Sequence, residues 1–413
     1  MGSTLGVVMV TAQRPERDRA APVAPSAPPV PAAPPASAGP GPAPASDRRH
    51  LHEVDLFRLL TFACVIGVHV LSATTTIDNV GSNAGQLLLH FTREAFFTLT
   101  GFVLTFQALR RPQRPAPFWR KRIPLVLTPY LTWTALYSLL AVWTRPPGTP
   151  EPTVSQELAT MGWNALEGTA WYHLYFLLVT LQLYLVFPAL LAGLRRLGRV
   201  RHGVVLGVAL VVQVVVCELL IDPPANGFGT FLVAHGFVLL PAYLLYPVVG
   251  AVAALHLDQV QALVLRFRWV IAGLVVVVVA AAEVLYVLAV DGGTVPSMAA
   301  AVFQPTTIVW FLVAVLGLYT LSLVVTAGWR PGGPARRVLA YASDRSFGIF
   351  LAHPVVLAGL LAIAGGWVGA VGSGSTLLAL YLGTVVGSVL VADVARRLPW
   401  SAALTGRRCA PRR

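Results

Sequence analysis

The chain has 413 residues, of which 56% are hydrophobic and only 11% are charged, with a mean hydropathy of +0.71. Soluble domains carry about a quarter charged residues, so this composition excludes an ordinary soluble globule and implies a polytopic membrane protein. The net charge of +13 invites a nucleic-acid reading, but nearly all basic residues fall in alternate short loops between apolar spans, which is an orientation signal instead.

Residues 1–46 form the first unit. From Pro22 to Pro44 the chain is almost wholly Pro, Ala, Gly and Ser, a composition that buries no core and predicts a disordered, partly polyproline II tail. The apolar run Leu5–Val10 is too short for a signal-peptide core. The first span is expected to serve as an uncleaved signal anchor. Ten apolar spans follow, near 56–76, 87–109, 123–143, 171–193, 203–221, 230–256, 269–290, 301–326, 346–370 and 376–395. Each is long enough for a hydrocarbon core of roughly 30 Å. The fold class expected is therefore all-α, with a ten-helix membrane domain over 47–397 and a basic C-terminal tail over 398–413. Alternate loops hold Arg48 and Arg49, Arg110 to Arg122, Arg195 to Arg201, Arg266 and Arg268, Arg330 to Arg345, and the C-terminal arginines, whereas the opposite side has only Arg93 and Arg145. The positive-inside rule then places both termini in the cytoplasm.

The first span carries two ionisable residues, Arg58 and His69. Eleven residues make ~1100° of helical rotation, about three turns, so both lie on one face ~16 Å apart. A charged side chain at mid-bilayer costs at least ~2.5–3.5 kcal/mol, which makes such residues functional candidates. The plainer reading is that Arg58 snorkels to the interface and His69 satisfies a neighbouring helix. A cation at the inner mouth with a titratable base deeper in fits a ligand arriving from the cytoplasm with an anionic end.

Four further stretches depart from plain apolar sequence. The second span opens His90-Phe-Thr-Arg93-Glu94 and runs to Gly101; Arg93 and Glu94 are either interfacial charges or, for Glu94, a partner for a polar acceptor. Arg120, Lys121 and Arg122, which include the only lysine in the chain, precede Pro129-Tyr130. They are topological anchors, phosphate ligands, or both. Trp171-Tyr172-His173-Leu174-Tyr175-Phe176 opens the fourth span. Belt aromatics are ordinary there, but His173 faces the compartment His69 approaches, and aromatic faces beside a histidine suit stacking on a sugar ring. In Ser346-Phe-Gly-Ile-Phe-Leu-Ala-His353-Pro354, Pro354 frees backbone carbonyls, one of which His353 is placed to bond. The cysteines Cys64, Cys217 and Cys409 show no metal or redox spacing, and no metal site is expected.

These pieces, in this order, resemble the acyltransferase-3 family of integral membrane acyltransferases over about residues 50–397. The carriers are Arg58 and His69 at the family's spacing, Phe96-Phe97-Thr-Leu-Thr100-Gly101-Phe102, the basic cluster leading to Pro129-Tyr130, and the two aromatic stretches ending at Phe176 and Pro354. The chain departs in having Leu125 where members commonly carry a second arginine, and Thr100 for a serine. An appended esterase-like domain, present in some members, is not recognised, so a second half-reaction would need another protein. The resemblance implies a multi-pass protein of the inner (plasma) membrane that transfers an acyl group, most simply acetyl, from acyl-coenzyme A to a hydroxyl of a carbohydrate or related metabolite. It implies His69 as general base, Arg58 with Arg120, Lys121 and Arg122 as donor-binding residues, and Glu94, Tyr172 and His173 toward the acceptor. Acyl-coenzyme A is then a co-substrate, with no permanently bound cofactor. A transporter of glycans or small metabolites, with Arg58 and His69 lining its path, is the alternative, although no inverted repeat with paired broken helices is visible. A non-catalytic scaffold is a third reading.

Overall fold

The structure, a computed structural model, describes residues 50–330, 332–364 and 374–409. The chain divides after His50, and the fold is that of the unit beginning at Leu51; the 1–46 tail lies outside the described residues. Every regular element among the described residues is helical. In chain order they are α1 (His52–Thr74), α2 (Val80–Leu89), α3 (Thr92–Arg110), α4 (Pro115–Trp143), α5 (Val154–Glu167), α6 (Tyr175–Arg196), α7 (Arg199–Ile221), α8 (Gly227–His235) and α9 (Leu245–Leu255). There follow α10 (Leu257–Arg266), α11 (Arg268–Asp291), α12 (Pro296–Ala299), α13 (Pro305–Ala327), α14 (Pro334–Ala364), α15 (Gly374–Arg397) and α16 (Ser401–Thr405).

Helix starts follow local chemistry. Pro115, Pro296 and Pro305 open α4, α12 and α13, where a missing N–H costs nothing. Asn79 caps α2 by accepting the Ser82 N–H at 2.9 Å, and Thr153 forms a capping box with Gln156 at the start of α5. Among the described residues nine helices are long and apolar enough to cross a membrane, with α2 and α3 taken as one span, and the bent pair α9–α10 makes a tenth.

Several expected boundaries change: the third span begins at Pro115 and the ninth at Pro334, and residues 365–370 of the expected ninth span lie outside the described residues. The sixth span, expected as one helix over 230–256, is instead α8, two short 3-10 turns, α9 and then α10, which leaves α9 at 96°. Gly236 and Pro241 fall in the interrupted stretch, and Pro supplies no N–H to carry a helix through it. The fourth span begins at Tyr175, not at 171. Within the expected C-terminal tail, α16 is seated against α4, α14 and α15, with Ser401 and Thr405 buried.

The second span is the centre of the bundle. In α2–α3, 67% of the apolar stretch is buried, against 11% in α11, so α3 is enclosed and α11 faces outward. α3 packs tightly along α9. A Cβ on Gly101 would lie 2.1 Å from the Pro247 carbonyl oxygen, and one on Gly250 would lie 1.9 Å from the Thr98 carbonyl oxygen. Reciprocal glycines let two helix backbones touch, as is common within membranes. The glycine of the Phe-Phe-x-x-Thr-Gly stretch is therefore explained by packing. Fully buried Phe97, Leu183 and Tyr243 fill the main core around α3, α6 and the α9 approach. A second cluster joins Ile66 and Val70 of α1 to α14 and α15.

Candidate active site

His69 lines a cavity of about 210 Å3 whose walls include His90, Arg93, Tyr172, His173 and Phe350. The cavity draws on α1, the α2–α3 junction, the turn before α6, and α14. That turn is set by Gly168, which ends α5 with φ 71° and on which a Cβ would lie 2.6 Å from the Tyr175 Cα. The chain folds back so closely that only glycine fits, and Trp171, Tyr172 and His173 are delivered in a turn at the mouth of α6.

Three imidazoles from three elements meet at the cavity wall. The His69 ring stacks on His353 at a centroid distance of 5.2 Å and lies 4.5 Å from the Tyr172 ring. His173 sits edge-on to His353 at 5.4 Å and to Phe350 at 5.1 Å. His353 is wholly buried, and its Nδ1 lies 2.7 Å from the Phe350 carbonyl oxygen. That carbonyl is the one Pro354 would have bonded had it an N–H. Since a carbonyl only accepts, Nδ1 is the donor and carries the proton, which leaves Nε2 as a lone-pair acceptor. Nε2 of His353 and both ring nitrogens of His173 are shielded from solvent and have no hydrogen-bond partner among the described residues. The rings stack rather than converge, and among the described residues no group of three His, Cys, Asp or Glu is set to hold a metal ion.

Arg58 stands elsewhere on α1. Its Nη1 donates to Asp55 Oδ1 and to Ser343 Oγ, each at 3.1 Å, and Ser343 donates to the same carboxylate oxygen at 2.8 Å. Between Arg58 and His69 lies a collar of phenylalanines. Phe62 of α1 meets Phe96 at 4.5 Å and Phe350 at 6.1 Å, and Phe176 meets Phe350 at 5.6 Å. Phe96, Phe176 and Phe350 of this collar form the cavity wall on the side toward Arg58.

Of the remaining expected residues, Tyr172 and His173 line the cavity with His69. Glu94 does not; its Oε1 takes Nε and Nη2 of Arg93 at 3.0 and 2.7 Å, and it is Arg93 that reaches the wall, its guanidinium also lying over the Phe303 ring at 4.7 Å. Arg120 and Lys121 are exposed at the start of α4, and Arg122 bonds Gln107 of α3. Arg58 and Arg122 have different partners, Asp55 of α1 and Ser343 of α14 for one and Gln107 of α3 for the other. Sequence reading missed His90, whose Nδ1 lies 3.2 Å from the Ala300 carbonyl oxygen, as well as the meeting of His353 with His69. Its position beside Arg93 was visible, but not that the α2–α3 break turns it into the cavity.

No curated protein and no solved structure matches the chain. The family model described as an acyltransferase domain, that of acyltransferase-3, matches residues 51–395, the whole ten-span region including every wall of the cavity. The chain belongs to the acyltransferase-3 family and is a multi-pass membrane acyltransferase.

Proposed function

We propose that the protein moves an acyl group, most simply acetyl, from acyl-coenzyme A to a hydroxyl of a carbohydrate or related metabolite. The placement of His69 carries this reading. It lines an aromatic-walled cavity, while Arg58, three turns away on the same helix, stands at the arginine-rich end. By the positive-inside rule that end is cytoplasmic in a plasma membrane, the side on which acyl-coenzyme A is available. Arg58 and the Arg120–Arg122 cluster would hold the phosphates, and an extended pantetheine arm threaded between the collar phenylalanines would span the ~16 Å to His69.

The acceptor hydroxyl oxygen attacks the thioester carbonyl carbon, and His69 takes the hydroxyl proton. The C–S bond then breaks, and the proton passes to the departing thiolate, giving the ester and free coenzyme thiol. A cavity of about 210 Å3 is smaller than the ~300–1,000 Å3 of drug-sized pockets, so it admits one ring-sized group of the acceptor rather than a whole glycan. Mass spectrometry of surface glycans and secreted metabolites tests the reading. A deletion strain should lack an acylated species that the wild-type gene restores and His69→Ala does not. Full restoration by His69→Ala would overturn it.

A further inference from the structure

The family match ends at residue 395, yet the chain beyond it makes one more fixed element. Ser401 and Thr405 of α16 are 0% and 3% exposed. Ser401 Oγ donates to the Arg407 carbonyl at 2.8 Å, and Trp133 of α4 donates its Nε1–H to the Leu404 carbonyl at 3.0 Å. Gly406 ends α16 with φ 65°, and a Cβ there would lie 2.9 Å from both the Leu125 carbonyl oxygen and the Phe347 ring. Only glycine combines that dihedral with that approach. The backbone of Arg407 is thus held between α4 and α14.

This placement brings a second guanidinium to the stretch of α14 that receives Arg58. Ser343 and Asp344 are neighbours on α14; the first receives Arg58, and the second pairs with Arg407 at 2.6 Å. Asp344 is also shared with Arg396 at 3.1 Å and Arg345 at 3.5 Å, so one carboxylate faces three guanidiniums. Arg345 has Asp393 as well. Arg407 has the most exposed side chain of the three, at 51%, which makes it the one open to an incoming anion. Guanidinium in excess of carboxylate is what phosphate oxygens bind best.

We infer that Arg407 is a donor-binding residue that works with Arg58 on an anionic group of acyl-coenzyme A, and that α16 forms the wall of that site. The inference rests on the acyl-coenzyme A reading above. The same element braces the histidine cluster: Phe347 stacks on Phe350 at 6.3 Å, and Trp133 meets Tyr137 at 5.5 Å, which in turn is edge-on to His173 at 5.4 Å.

Steady-state transfer by the reconstituted full chain, with acyl-coenzyme A and with acyl-pantetheine lacking the nucleotide phosphates, tests it. Arg407→Gln should raise KM for acyl-coenzyme A about tenfold, with the effect on KM rather than kcat and absent for acyl-pantetheine. Arg407→Lys should recover part of it. Asp344→Asn, which removes the competing carboxylate, should lower KM. A merely structural ion pair would make both Arg407→Gln and Asp344→Asn worse with both donors alike. That outcome, or a parental KM in Arg407→Gln, overturns the inference while leaving the donor reading intact. Equal use of the two donors by the wild type would instead overturn the donor reading, and the inference with it.

Discussion

Pro354 cannot donate a hydrogen bond, and the consequence is felt one turn back, at the Phe350 carbonyl that His353 occupies. One residue's missing proton thereby fixes another's tautomer next to His69. Pro354→Ala supplies the N–H, competes for that carbonyl and releases the ring. We expect kcat to fall several-fold while KM for the donor holds; parental kcat would show that the His353 orientation is immaterial. The collar makes a second residue-scale prediction. Phe350→Ala opens the wall that keeps water from the thioester, so release of coenzyme thiol without acceptor should rise, measured with a thiol reagent; an unchanged background would remove the collar as a barrier. Much of this site was legible in the sequence, because ionisable residues in apolar spans are rare enough to stand out: Arg58, His69, His173 and His353 were each visible. Which of them meet was not, since helix order in sequence does not fix helix neighbours in space.

At the scale of elements, apolar length alone located the spans, and it failed where proline and glycine interrupt the backbone. The sixth span reads as one continuous apolar run, yet it is broken into α8, turns and α9. Gly101 and Gly250 explain the close α3–α9 contact. Gly101→Ala places a methyl against the Pro247 carbonyl and should cost about 1–3 kcal/mol through forced separation of the helices. Its readout is a lower unfolding midpoint in detergent, and an unchanged midpoint would mean that the helices part freely. α16 was hidden from sequence reading because a five-residue helix in a basic stretch has no periodicity to detect. The resemblance implies an arginine at position 125, where the chain has Leu125. Gly406, the residue before Arg407, is pressed on that residue's carbonyl.

Across the whole molecule the arginine asymmetry and the cavity fall at opposite ends, with Arg58 on one side of the collar and Tyr172, His173 and Arg93 on the other. Tyr172 is 47% exposed, so a cysteine there should react with an impermeant thiol reagent added outside intact cells. Reaction only after the cytoplasmic face is opened would reverse the orientation and with it the side from which the acceptor comes. Residues 2–46 carry no apolar periodicity, and their deletion should leave transfer intact in a chain that still inserts.

The most direct measurement is transfer of a labelled acyl group from acyl-coenzyme A by the reconstituted protein, comparing wild type with His69→Ala. Loss of a general base should lower kcat by at least ~100-fold while KM for the donor stays near parental. Near-parental kcat in a folded His69→Ala protein would contradict acyl transfer at this cavity.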